Sequence, residues 1–172
     1  MYTEDEFTHI LHDYGGIVKR LAYIHMKNNV DADDIYQEVF IKLLKKQEKI
    51  IDEEHLKNWL IRATLSSCRD IWKSAYYRHN KETIDNSDRE EWIYKEYYDG
   101  NLNDEAGLVT EAVMSLPQKY REVIHLYYYE GYSEKEIADI LNVSAKTIST
   151  RILRGRKKLR DYMEKEGINY DI

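Results

Sequence analysis

One segment near the C-terminus constrains the fold most, because it contains two helix start signals in close succession. Ser133 and Glu136 have the S-x-x-E spacing of a capping box, and a short apolar run follows them. Asn142 then tolerates the left-handed backbone of a tight turn, and Ser144 can cap a longer helix over about 145–163. A short helix, a turn of about three residues and a longer helix together predict a helix-turn-helix.

The longer of these two helices is strongly basic. Ala145–Arg160 contains seven basic residues and no acidic one, although the whole chain has a formal net charge of −6. A basic stripe on one helix is the electrostatic footprint of a phosphate-binding surface. A solvated helix end would have a similar composition, because cations are favoured near a helix C-terminus. In combination with the helix-turn-helix, the stripe favours DNA binding.

The rest of the chain also has a helical pattern. Seven glycines and one proline are too few for the many tight turns of a sandwich or a barrel, so we predict an all-α protein. Apolar residues at three- and four-residue spacing predict N-terminal helices over about 4–28, 32–46 and 56–77. Gly15-Gly16 weakens the first helix by roughly 1 kcal/mol per glycine and marks a point where it can break. Asp31 or Asp33 can cap the second helix.

Residues 78–104 lose this periodicity. They are polar, acidic and rich in turn residues, which predicts a flexible acidic linker between two small helical domains, 1–77 and 105–172. The second domain begins with a predicted helix over 106–115. Another should run from Pro117 to the glycine at 131, with Ser115 as its candidate cap. We expect the tyrosines at 127–129 to pack within this domain.

Several classes of function lack support in the sequence. With no apolar run of ~18 residues and no signal peptide at its start, the chain is expected to be cytoplasmic. The single cysteine, Cys68, is expected to be a small buried hydrophobe. His9 and His12 have a spacing close to that of metal ligands, but no further ligand set completes a site. There is also no Gly-rich phosphate loop or nucleophile–base pair, so we expect no metal, no cofactor and no enzymatic activity.

Motifs along both domains resemble those of bacterial sigma factors. The motifs SLPxxYRxV (115–123), YSxxEIA (132–138) and NVSxxTIxxR (142–151) resemble the C-terminal region 4 of that family. The motif DDIYQEVF (33–40) and the tryptophan-led helix that follows (58–70) resemble region 2. Nothing resembles the middle region 3. The chain as a whole therefore resembles the extracytoplasmic-function group.

The resemblance implies a protein that binds core RNA polymerase and gives it promoter specificity. It assigns the docking on core polymerase to Asp34, Gln37 and Glu38. It assigns the melted start-proximal promoter strand to His55, Trp59, Arg62 and Ser66, and bases can stack on an aromatic ring for ~1–3 kcal/mol each. It assigns the double-stranded upstream element to Lys146, Thr147, Ser149, Thr150, Arg151, Leu153, Arg154, Arg156 and Lys157. Whether an anti-sigma factor is also a partner stays open.

Two positions depart from the family pattern. Ser66 stands where the family commonly has Asn, and Ser149 stands where many members have a basic residue, so base preference at both promoter elements is left open. Trp59 could instead be a core residue.

The alternative function is a stand-alone helix-turn-helix regulator that binds duplex DNA as a dimer. The N-terminal helices discriminate between the two functions, because a dimeric regulator needs no polymerase-docking face.

Overall fold

The computed structural model describes residues 2–46, 48–74 and 104–167, without the side chains of Trp72 and of 104–108. All regular structure in these residues is helical, as predicted. The chain divides into two compact units, Met1–Asp88 and Arg89–Ile172. The predicted acidic linker, 78–104, lies outside the described residues except for its last position.

The first unit contains three helices, α1 (Glu4–Met26), α2 (Asn29–Leu44) and α3 (Glu53–Lys73). Helix α1 runs unbroken through Gly15-Gly16, where the sequence would have allowed a break. Gly15 is buried, and a Cβ at this position would lie 3.0 Å from the hydroxyl oxygen of Tyr36 on α2. The close approach of Tyr36 therefore explains a glycine that helix propensity disfavours.

Helix α2 begins earlier than predicted and has a different cap. It starts at Asn29, because Oδ1 of Asn28 accepts a hydrogen bond from the N–H of Val30 at 2.8 Å. Neither predicted aspartate is the cap. The carboxylate of Asp33 forms an ion pair with Lys19 on α1 instead. An aspartate that fits a capping pattern in sequence thus serves to join two helices.

Helix α3 also begins earlier than predicted. Its first residue is Glu53, because Oδ1 of Asp52 accepts a hydrogen bond from the N–H of His55 at 2.6 Å. The segment that connects α2 to α3 is hydrogen-bonded to the N-terminal part of the chain. In this contact, the N–H of Ile50 donates to the hydroxyl of Tyr2 at 2.8 Å. Long-range contacts of this kind position the start of α3, and sequence periodicity does not reveal them.

The three helices enclose one apolar core. Its largest fully buried side chains are Leu21, Ile24, Ile35, Leu43, Leu60, Ile61 and Leu65. Burying each of them stabilises the fold by about 1.5–3 kcal/mol relative to leaving it exposed. Cys68 is fully buried, as predicted for a small hydrophobe. Because this core fixes the rotation of each helix, it also fixes which residues of α2 and α3 face outward.

The second unit contains α4 (Asp104–Ser115), α5 (Gln118–Ile124), a π-helical turn (His125–Tyr129), α6 (Glu134–Leu141) and α7 (Ala145–Lys165). The residue at the N-cap position of α5 is Pro117, which has no side-chain group that can cap. The prediction of Ser115 as the cap is wrong, because its hydroxyl donates to the carbonyl of Ala112 at 2.7 Å. The buried side chain of Arg121 donates hydrogen bonds to backbone carbonyls at the end of α4, which the helix itself leaves without partners.

The π-helical turn brings a buried polar pair into the second unit. The N–H of Glu130 donates to the carbonyl of His125 at 3.2 Å, and Nε2 of the fully buried His125 lies 3.2 Å from Oε1 of Glu130. The His125 ring stacks on Tyr129, with 5.5 Å between ring centroids. The expectation that the three tyrosines would pack within this unit holds in part: Tyr129 packs on His125, whereas Tyr127 and Tyr128 are exposed and contact each other, with 4.9 Å between ring centroids.

Candidate nucleic-acid interface

The helix-turn-helix forms as predicted, from two capped helices joined through a left-handed residue. The N–H of Ser133 donates to Oε2 of Glu136 at 2.7 Å, and the N–H of Glu136 donates to Oγ of Ser133 at 3.3 Å. Asn142 follows α6 with φ 54° and ψ 49°. Oγ of Ser144 then accepts from the N–H of Thr147 at 3.1 Å, which starts α7.

Apolar packing fixes α7 against its neighbours. Ile137 on α6 and Ile148 on α7 are fully buried. Further along α7, Gly155 lies directly against α5, and a Cβ at this position would be 3.0 Å from Cγ1 of Ile124. The predicted recognition helix is therefore held from two sides, and its remaining face is set by this packing.

That remaining face contains most of the residues predicted for the upstream element. The exposed ones are Lys146, Ser149, Leu153, Arg154 and Lys157, and the half-buried ones are Thr147, Thr150, Arg151 and Arg156. Lys146, Ser149, Leu153 and Lys157 recur at intervals of three and four, so they share one face of the helix, and Arg154 lies next to Leu153. Leu153 is 68% exposed, and an apolar side chain in this position can contact a thymine methyl group in the major groove.

Three hydroxyls on this face are already engaged within the protein. Oγ1 of Thr147 is bonded to Oγ of Ser144 at 2.8 Å. Oγ of Ser149 donates to Oε2 of Glu134, the first residue of α6. Oγ1 of Thr150 donates to the carbonyl of Lys146 at 2.8 Å, one turn earlier. A carboxylate thus lies beside the predicted base-reading surface. Sequence reasoning missed Glu134, because the contact joins two helices across the turn.

A cavity of about 340 Å³ lies between α5 and α7; we call it the basic cavity. Its lining residues are Lys119, Tyr120, Ser144, Lys146, Thr147, Thr150, Arg151 and Arg154. Sequence reasoning missed Lys119 and Tyr120, which precede the helix-turn-helix. Burial raises the pKa of the Tyr120 hydroxyl, but the hydrogen bond from Arg154 and the positive charge of Lys119 outweigh it and lower this pKa below its usual range. The basic cavity therefore favours negative charge.

In the first unit, the predicted polymerase-docking residues form one polar surface. Asp34, Gln37 and Glu38 are all exposed, and their spacing places them on one face of α2. Oε1 of Glu38 pairs with Nζ of Lys42 at 2.7 Å. Nζ of Lys42 also donates to Oγ of Ser67 on α3 at 3.0 Å, so the end of this surface is attached to the neighbouring helix.

The residues predicted for the melted strand form a second surface, on α3. His55, Trp59, Arg62 and Ser66 recur at intervals of three and four, which places them along one face. His55 and Arg62 are exposed, while Trp59 and Ser66 are half-buried. Part of the Trp59 side chain thus faces solvent, so this residue is more than a core residue.

Two other features of the described residues bear on function. Among them, no group of three or more His, Cys, Asp or Glu side chains is placed to hold a metal ion. None of the helices in the described ranges combines the length and the apolar character needed to cross a membrane.

Comparisons with known proteins place both units in one family. Residues 10–78 match Sigma-70 region 2, and residues 106–159 match Sigma-70, region 4. The chain is 30% identical over 165 residues to the ECF RNA polymerase sigma factor SigW of Bacillus subtilis, which covers 91% of this chain and 88% of SigW. It is 29% identical over 154 residues to the RNA polymerase sigma factor SigV of the same organism, covering 87% of this chain and 86% of SigV.

Two solved structures have a similar fold. The sigma factor RpoE from Bartonella quintana, solved in complex with the anti-sigma factor NepR, has a TM-score of 0.66 and 22% identity, covering 94% of this chain and 98% of that chain. CnrH, solved in complex with the cytosolic domain of CnrY, has a TM-score of 0.62 and 23% identity, covering 95% and 90%. At this level of identity, the two structures support the fold alone.

A three-helix unit that matches region 2, followed by a helix-turn-helix unit that matches region 4, defines a sigma-type transcription initiation factor. The chain belongs to the extracytoplasmic-function family of RNA polymerase sigma factors. The function predicted from the resemblance, directing RNA polymerase to promoters for transcription initiation, is thereby confirmed. The stand-alone regulator is not favoured.

Proposed function

We propose that three surfaces carry out promoter recognition. The docking face consists of Asp34, Gln37 and Glu38 on α2, and it binds core RNA polymerase. The strand face consists of His55, Trp59, Arg62 and Ser66 on α3, and it holds the melted start-proximal strand. The recognition face is the exposed side of α7, and it reads the double-stranded upstream element.

The observation that carries this proposal is the pair of exposed surfaces in the first unit. A dimeric helix-turn-helix regulator would need neither an acidic face on α2 nor an aromatic and cationic stripe on α3. Apolar packing does not account for the α2 surface, because Asp34, Gln37 and Glu38 are exposed. On α3, His55 and Arg62 are exposed as well. Exposed polar residues that share one helix face are suited to a partner surface of complementary charge.

The strand face has the chemistry that single-stranded DNA requires. A partly exposed Trp59 gives a base a surface to stack on, and Arg62 adds a positive charge for the backbone. Ser66 offers one hydroxyl donor and acceptor where the family commonly has an amide. This surface can therefore hold an unstacked strand, with a weaker hydrogen-bond readout at that position.

The recognition face has the chemistry for duplex DNA. Arg154 and Lys157 are exposed there, and Leu153 supplies an apolar contact. The two cations supply positive charge for the DNA phosphates, and an exposed apolar side chain such as Leu153 can contact a thymine methyl group. Because Ser149 is bonded to Glu134, the base preference at this position is set by a serine–carboxylate pair.

We also propose the setting in which the protein works. Its role is to bind and position, with catalysis left to the polymerase, and its place is the cytoplasm, where polymerase and promoter DNA meet. An anti-sigma factor is a proposed further partner. Support comes from the structure of RpoE, which was solved in complex with the anti-sigma factor NepR.

The docking face is tested by the double variant Gln37→Ala plus Glu38→Ala. We expect at least a tenfold weaker affinity for purified core polymerase, which corresponds to ~1.4 kcal/mol. The fold should be retained, because the Glu38–Lys42 pair is an exposed i, i+4 pair worth only about 0.3–0.5 kcal/mol. Fluorescence anisotropy of the labelled full chain gives the affinity, and circular dichroism checks the fold.

The matched control is Thr8→Ala plus His9→Ala, which changes two adjacent exposed residues of α1. It should bind core polymerase like the wild type. Run-off transcription with purified core polymerase and genomic fragments then tests promoter-directed initiation. Unchanged affinity in the Gln37/Glu38 variant would remove the docking face from the proposal.

A further inference from the structure

We propose that the basic cavity binds one phosphate group of the upstream promoter duplex, with Lys119 and Tyr120 of α5 as ligands. This inference rests on the proposed placement of α7 in the major groove. It extends the DNA-binding surface beyond the helix-turn-helix to the preceding helix, and it assigns Arg151 and Arg154 to the DNA backbone.

The residues that line the basic cavity are all basic or hydroxyl-bearing. Four of the eight lining residues are cations, three are serine or threonine hydroxyls, one is a tyrosine, and none is acidic. Oγ1 of Thr150 donates to the carbonyl of Lys146, and the hydroxyls of Ser144 and Thr147 are bonded to each other. The guanidinium and ammonium groups and the Tyr120 hydroxyl are therefore the main groups here that can bind phosphate oxygens.

Among the described residues, no carboxylate pairs with the four cations. Within the described part of the chain, Lys119, Lys146, Arg151 and Arg154 have no Asp or Glu oxygen within 4.0 Å, whereas Lys19, Lys42 and Lys49 in the first unit each pair with a carboxylate. Like charges held close together repel one another, so an anion that enters the basic cavity relieves this repulsion.

Tyr120 links α5 to this charge cluster. The residue is 7% exposed, the Arg154 guanidinium lowers the pKa of its hydroxyl, and Nζ of Lys119 lies 5.0 Å from the ring centroid. The Tyr120 hydroxyl thus belongs to the same charge cluster as Arg154 and Lys119. A phenol polarised in this way is a strong hydrogen-bond donor to a phosphate oxygen.

The position of the basic cavity favours a backbone phosphate over a base. It lies at the N-terminal end of α7, where Ser144 caps the helix and the helix dipole adds partial positive charge. In helix-turn-helix complexes, the first helix of the motif, here α6, crosses the DNA backbone while the recognition helix enters the groove. The basic cavity is lined by α5 and α7 and by no residue of α6, so a phosphate bound there is a contact additional to the one that α6 makes.

The test measures promoter binding by the holoenzyme, on a promoter first identified by run-off transcription, over a range of salt concentrations. Lys119→Ala should weaken binding several-fold and reduce the slope of log K against log salt by about 0.9, the value for one phosphate contact. Tyr120→Phe should weaken binding while leaving the slope unchanged, because it removes a neutral donor. Lys165→Ala, an exposed cation in the last turn of α7, is the matched control and should bind like the wild type.

A methylphosphonate scan of the promoter identifies the phosphate. At one backbone position, the neutral substitution should remove most of the difference between wild type and Lys119→Ala. Single-base changes across the upstream element should weaken the wild type and Lys119→Ala by equal factors, since a phosphate contact has no base preference. A slope like that of Lys165→Ala, or no methylphosphonate position that removes the effect, would overturn the inference.

A second experiment distinguishes binding of a DNA phosphate from binding of free phosphate. Inorganic phosphate at constant ionic strength should compete only weakly with promoter binding, and saturable competition that Lys119→Ala abolishes would assign the basic cavity to a free anion instead. If none of the genomic fragments gives a start site with the wild type, the proposed function itself fails. If start sites remain while Lys119→Ala behaves like Lys165→Ala, only the phosphate site fails.

Discussion

The backbone at Asn142 provides the sharpest test of how the helix-turn-helix is built. Its φ of 54° and ψ of 49° lie in the left-handed region, where an L-residue with a Cβ pays roughly 1–2 kcal/mol. Its side chain is exposed, and within the described residues it makes no hydrogen bond. A substitution at this position therefore changes mainly the energetic cost of the left-handed backbone conformation.

We expect Asn142→Ala to destabilise the second unit by about 1 kcal/mol, because asparagine already tolerates this region better than alanine does. Asn142→Gly should stay within about 0.5 kcal/mol of the wild type, since glycine adopts the conformation freely but gains entropy in the unfolded chain. A loss of 1 kcal/mol raises the population of the opened unit by a factor of about five.

Native-state hydrogen exchange on the full chain measures this effect. Backbone amides of α6 and α7 should exchange about five times faster in Asn142→Ala, while those of α1–α3 serve as the internal control and should not change. If the Gly variant exchanged as fast as the Ala variant, the loss would come from the asparagine side chain. The account based on backbone conformation would then be refuted.

Two further predictions concern stability. Gly155→Val should destabilise the second unit by about 1–3 kcal/mol in urea titrations, because its Cβ would meet Ile124 at 3.0 Å; Lys158→Val, at an exposed position of the same helix, is the control and should lose much less. In the first unit, the hydrogen bond from Lys49 and the backbone N–H of Thr3 hold the pKa of Glu6 at about 2, below its ordinary value of 4.5. The stability from this lowered pKa is present above pH 4.5 and is lost as the pH falls toward 2, so Glu6→Gln should flatten the decline in melting temperature over that interval. An equally steep decline in Glu6→Gln would show that other groups dominate acid unfolding.

Local signals in the sequence were sufficient to predict the helix-turn-helix. The capping box at Ser133 and Glu136, the left-handed turn at Asn142 and the cap at Ser144 each depend on residues within a few positions of one another. Such signals act through short-range hydrogen bonds and backbone preferences, so they can be read without knowledge of the fold. The all-helical fold class can also be predicted from local sequence. So can the faces of α2, α3 and α7, because their residues recur at helical spacing.

Only the tertiary structure showed which residues meet across helices. Gly15 looked like a helix break until its contact with Tyr36 was known, and Asp33 looked like a cap until it was found beside Lys19. Lys119 and Tyr120 lie far in sequence from the basic stripe, yet they border the same cavity as Arg154. Local patterns determine where helices form and which way their faces point, whereas packing between helices decides which charges and hydroxyls converge, because that depends on how distant segments fill one shared core.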